Sequence, residues 1–134
     1  MKIEDIEGIG PAFAEKLIAA GVATTDDLLN RGATEAGRGL LATETGISER
    51  LLLEWVNHAD LMRIDGVGPE FADLLEAAGV DSCAELARRN AKNLAETFQE
   101  LDAARPNTVR RVPSEATIAG WIAAAEKLAK IVTH

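Results

Sequence analysis

The chain repeats itself, and that repeat limits what it can fold into. Residues 6–29 (IEGIGPAFAEKLIAAGVATTDDLL) realign 58 positions later on residues 64–87 (IDGVGPEFADLLEAAGVDSCAELA), with twelve of 24 positions identical. Glu7/Asp65, Ile9/Val67 and Glu15/Asp73 differ only conservatively. A second echo, offset by 66, pairs Ser48-Glu49, Trp55 and Val56 with Ser114-Glu115, Trp121 and Ile122. The larger offset places an insertion in the second copy within Asp102–Pro113, where Pro106 and Pro113 interrupt helical pattern. Each half reads as a tight glycine turn, short helices and a long Trp-bearing helix, which divides the chain into 1–63 and 64–134.

The local signals are helical throughout. Gly10-Pro11 and Gly68-Pro69 put proline at a first helical position, where its missing N–H costs nothing. Phe13, Leu17, Ala20 and Phe71, Leu75, Ala78 form i, i+4, i+7 stripes, and Gly21 and Gly79 suit the left-handed position just past a helix end. Ser82 with Glu85 has capping-box spacing, and Ser48 and Ser114 read as N-caps. Helices are expected at about 11–20, 26–30, 34–45, 48–62, 69–78, 83–89, 91–103 and 114–130, and no sheet, since no stretch alternates with period two.

Composition bounds the function. With 47% hydrophobic and 27% charged residues, the chain has the apolar fraction a core needs, which excludes a disordered acidic tail. No apolar run approaches the ~20 residues of a membrane span, and the charged start Met1–Asp5 is unlike a secretory signal. A single cysteine, Cys83, rules out an internal disulfide, so a cytoplasmic location is expected. The net charge is −8, against the basic field that general nucleic-acid binders carry. The charge is also uneven: residues 1–81 hold 6 basic and 16 acidic side chains, residues 82–134 hold 8 and 6. Any phosphate contact must therefore be local.

The turns Gly8-Ile9-Gly10 and Gly66-Val67-Gly68 offer such a local site. The central apolar residue can plug the core while the glycines leave their amides uncovered, and the positive end of a helix dipole opens immediately after. Anion capture by backbone reads no base. Each turn can equally be a tight inter-helix connection that does nothing but pack two helices.

The stretch Ile6-Glu7-Gly8-Ile9-Gly10-Pro11, followed by Phe13, Leu17 and Ala20-Gly21-Val22, and its copy from Ile64 to Val80, resemble helix-hairpin-helix motifs. With Leu53–Ile64 and the ending Ile131-Val132-Thr133-His134, the whole chain resembles a family of small, mostly bacterial proteins of unknown function built on two such motifs. The resemblance implies an all-α fold, two helix-hairpin-helix repeats packed into one compact helical domain. It also implies sequence-independent contact with DNA phosphates through the amides of Gly8, Ile9, Gly10, Gly66, Val67 and Gly68. Lys16 adds a charge, and a monovalent cation can sit on the turn carbonyls. The second copy departs from DNA-binding examples in placing Glu70, Asp73 and Glu76 just after its turn, where like charge opposes a phosphate.

Other features read in two ways. Arg88, Arg89, Lys92, Arg105, Arg110 and Arg111 gather late in the chain, and Arg110-Arg111 in the inserted loop could pair with a phosphate or carboxylate; a solvated face is the plainer reading. Trp55, Trp121, Phe13 and Phe71 are expected in the core rather than stacked on bases. The acidic residues near Asp65 read as a solvated face, and no nucleophile elbow, phosphate loop or metal-spaced His/Cys set is present. The sequence thus points to a non-enzymatic binding module: a weak contact with the DNA backbone or, alternatively, a protein–protein adaptor or self-assembling scaffold using its acidic surface.

Overall fold

In the computed structural model, residues 1–105 and 111–134 are described. All regular structure among them is helical: a short 3-10 turn at Ile3–Asp5, then α1 (Pro11–Ala19), α2 (Thr25–Gly32), α3 (Glu35–Thr45), α4 (Glu49–Leu61), α5 (Pro69–Ala77), α6 (Cys83–Leu86), α7 (Ala91–Ala104) and α8 (Glu115–Glu126). No strand occurs among the described residues, and none of their helices is long and apolar enough to cross a membrane. The packing divides the chain into two units, Met1–Asp60 with Lys130–His134, and Leu61–Ala129. The repeat boundary drawn after residue 63 lies three residues beyond this division, and the last five residues return to the first unit.

In the first unit, α1 begins at Pro11 and ends in a Schellman motif: Val22 N–H donates to Leu17 O (2.8 Å) and Gly21 N–H to Ile18 O (3.0 Å), with Gly21 at φ 88°. The same motif closes α5 in the second unit, through Val80 to Leu75, Gly79 to Glu76, and φ 87° at Gly79. Helix α2 starts at a full capping box, one residue before the position 26 expected from the sequence. Thr24 Oγ1 accepts from Asp27 N–H (3.1 Å), and the Asp27 carboxylate accepts from the Thr24 and Ala23 amides (3.2 and 3.1 Å). Thr34, Ser48, Ser82, Asn90 and Ser114 cap the next helices by the same side-chain-to-amide bond. At Ser82 the expected box is half made, and the Glu85 carboxylate meets Arg89 Nε instead (3.2 Å).

Two features of the first unit have no counterpart in the sequence reading. Residues 2 and 24 form an antiparallel bridge, with Ile3 N–H donating to Ala23 O and Thr25 N–H to Met1 O. The second is Arg38, which is 4% exposed. Its guanidinium donates to Gly32 O (2.8 Å) and Ala33 O (3.2 Å), at the negative end of the α2 dipole, and to Thr133 O (2.7 Å), 95 residues away. Thr133 N–H answers with a bond to Ala33 O (2.8 Å), Val132 is buried beside it in sequence, and a His134 ring nitrogen meets Asn57 Oδ1 (2.9 Å). These bonds hold the chain in the first unit, and α8 ends at Glu126 rather than near 130. In the second unit the core is one cluster in which Val67, Leu75, Val80, Leu86, Phe98 and Trp121 meet.

Arg38→Met keeps the apolar stem but removes the guanidinium donor from Gly32 O, Ala33 O and Thr133 O, of which Ala33 O keeps the Thr133 N–H. Urea unfolding should show a loss of about 2–3 kcal/mol, and amide exchange at Thr133 should speed up. Asp27 supplies a pH test. Its backbone and Thr24 hydrogen bonds hold its carboxyl below the ordinary value of 3.8. The stabilisation is therefore complete above the unfolded value and drains away as the pH falls through the folded one. Thermal melts in acid should show a steeper fall for the natural protein than for Asp27→Asn.

Candidate functional site

The two glycine turns have matching geometry. Gly8 and Gly66 adopt φ 93° and 92°, which an L side chain rarely takes, and a Cβ on either would lie 3.3 or 3.4 Å from the indole Nε1 of Trp55 or Trp121. The tryptophans are 1% and 4% exposed and meet Phe13 and Phe71 with ring centroids 5.1 and 5.2 Å apart. They are core residues that form the floor of each turn. Ile9 and Val67 plug inward as expected, at 6% and 4% exposure.

Gly10 and Gly68 differ from their neighbours. Their φ values, −83° and −95°, suit any residue, and a Cβ on either would meet nothing within 4 Å. Neither backbone strain nor packing requires glycine there, yet both repeats have it. Both are N-cap residues with no side-chain cap, a position that glycine suits better than alanine or valine, and glycine there also keeps the start of α1 and of α5 bare.

The amides divide accordingly. Ile9 N–H and Val67 N–H donate within their turns, to Ile6 O (3.2 Å) and Ile64 O (3.0 Å). These two expected contacts are thus already engaged. The N–H groups of Gly8, Gly10, Gly66 and Gly68 make no hydrogen bond among the described residues. Lys16 lies in the last turn of α1, about 9 Å along the axis from Gly10, so it cannot share a ligand atom with the turn but can reach a neighbouring charge. Arg111 is exposed and lines a depression with Phe71, Pro113 and Thr117; Arg110 lies outside the described residues. Arg89 is committed to the fold: like its repeat partner Arg31, which donates to Ala20 O (3.0 Å), it caps the helix before it, through Gly79 O (3.0 Å).

The surroundings are acidic. Exposed Glu4, Asp5 and Glu7 line a depression with Gly8, Ile9 and Gly10. Beside it, an open groove of about 760 Å³ runs along α1, lined by Ile9, Pro11, Ala14, Ile18 and Ala19 and by exposed Glu4 and Glu15. Ile18 is 49% exposed there. At the second turn Gly66 and Asp65 are exposed, whereas Gly68, Pro69, Glu70 and Asp73 are half-buried.

A family model described as a domain of unknown function (DUF4332) matches residues 7–128. The chain belongs to the DUF4332 family. The DUF4332 match takes in both glycine turns and both tryptophans. No curated protein and no solved structure matches the chain.

The contrast between the two glycines of one turn is measurable. Gly8→Ala should cost about 1–2 kcal/mol in urea unfolding, because it combines a strained φ with a contact on the Trp55 ring. Gly10→Ala should stay within about 0.5 kcal/mol of the natural protein.

Proposed function

We propose that the protein is a non-enzymatic binding module whose glycine turns act as helix-hairpin-helix elements, the first of them receiving a phosphate of the nucleic-acid backbone without reading sequence. The observation that carries this reading is the bare backbone at Gly10, a glycine that neither conformation nor packing demands, next to unengaged amides at a helix start. The first turn is favoured over the second because Gly10, Pro11 and Ala12 are exposed, while Gly68, Pro69 and Glu70 are partly covered.

Opposed magnitudes set the strength. A helix start favours an anion by about 0.3–1 kcal/mol at an exposed site. Glu4, Asp5 and Glu7 repel the same anion, over a range of roughly 8 Å in physiological salt. The expected affinity for duplex DNA is therefore micromolar or weaker, and it declines as salt rises. A monovalent cation on the turn carbonyls would offset part of the repulsion.

Fluorescence anisotropy with a labelled duplex at low salt tests the reading. Gly10→Val should weaken binding with only a small loss of melting temperature from the poorer N-cap, and Lys16→Glu should weaken it too. The double variant Glu4→Gln/Glu7→Gln should tighten it several-fold. Absence of binding at low salt, or indifference to all of these substitutions, would sink the reading. In parallel, the Trp55 indole N–H resonance should move when inorganic phosphate is titrated in, since the ring lies under Gly8.

A second reading, a protein-binding adaptor, draws on a different surface, the apolar groove along α1 with its half-exposed Ile18.

A further inference from the structure

Resting on the adaptor reading, we propose that the α1 groove is the docking site for a cationic amphipathic helix of a partner protein.

The internal repeat shows that two positions of this helix tolerate a change from apolar to acidic. Ala12 and Ile18 on α1 correspond to Glu70 and Glu76 on α5. Both helices have the same length, the same proline start and the same Schellman end. A carboxylate is thus compatible with this helix at position 18, yet the first copy presents an isoleucine half in water. An exposed β-branched residue at a site where the fold accepts glutamate is a surface kept apolar for contact.

The shape and the charge then choose the occupant. The groove is open to solvent and flanks one helix, so a partner segment can lie against it. Its exposed apolar lining, Ile18 foremost with Pro11 and Ala19, over a floor of buried Ile9 and Ala14, suits the i, i+3/i+4 anchors of an amphipathic helix. Exposed Glu4 and Glu15 line it too, and Asp5 and Glu7 line the adjoining depression. Four carboxylates beside an apolar floor select lysine or arginine flanking the anchors. They disfavour a second copy of this chain, whose net charge is −8, and an apolar floor has nothing to offer a phosphate backbone.

The test is a titration of the full-length, isotope-labelled protein with an amphipathic peptide of leucine and lysine in helical register, followed by NMR. Saturable shifts are expected at Ile9, Ala14, Ile18 and Ala19. Ile18→Glu should weaken binding at least tenfold while leaving the melting temperature unchanged, and Glu4→Gln/Glu15→Gln should weaken it several-fold. Gly10→Ala, which touches only the phosphate reading, should leave it unaltered. Equal binding of a leucine–glutamate peptide would overturn the choice of a cationic partner. Saturable shifts confined to another surface would overturn this site while leaving an adaptor standing. Silence toward both peptides would sink the site and the adaptor reading together.

Discussion

The structure depends on a contact between a backbone and a ring. At each turn a glycine takes a conformation closed to other residues and lies against the edge of a buried tryptophan supplied by a helix far along the chain. The tryptophan is itself met by a phenylalanine from the helix that the turn launches, edge-on in the first unit and tilted in the second. Turn, launched helix and long helix are therefore fixed by one three-part contact, made once in each unit. A side chain on the glycine would push the ring and the turn apart, which is why these two glycines have a purely structural reason to be there.

The adjacent glycines are under no strain or packing constraint and have only the milder N-cap preference, and the functional reading turns on that difference. A sequence shows Gly-Ile-Gly and Gly-Val-Gly as symmetrical signals. Coordinates show the first glycine of each pair bound by geometry and the second left open. The central amide, which the sequence also offers as a contact, is consumed in closing the turn. The donors that remain are fewer than the motif suggests, and they sit amid carboxylates that keep any phosphate contact weak.

Much of the architecture was legible because it rests on local chemistry. Proline at the helix starts, glycine past the helix ends and serine caps act within a few residues, and the repeat doubled each signal. The capping box at Thr24 went unread because aspartate, not glutamate, closes it. Arg38 was illegible for a different reason. A charged residue between two glycines reads as exposed, and its burial depends on carbonyls at positions 32, 33 and 133 that only the folded chain brings together. The groove was half legible: the exchange of Ala12 and Ile18 for glutamates is plain in the aligned repeats, but whether those positions face water is decided by packing.

The strap that Arg38 holds has a consequence for how the chain acquires its form. The second unit is continuous in sequence and interrupts the chain of the first, whose closing residues come after it. As the polypeptide leaves the ribosome, the inner unit has all its parts before the outer one does. The outer unit lacks one of the three carbonyl partners of its buried guanidinium, Thr133 O, until the last residues arrive, so the part made first is the part finished last.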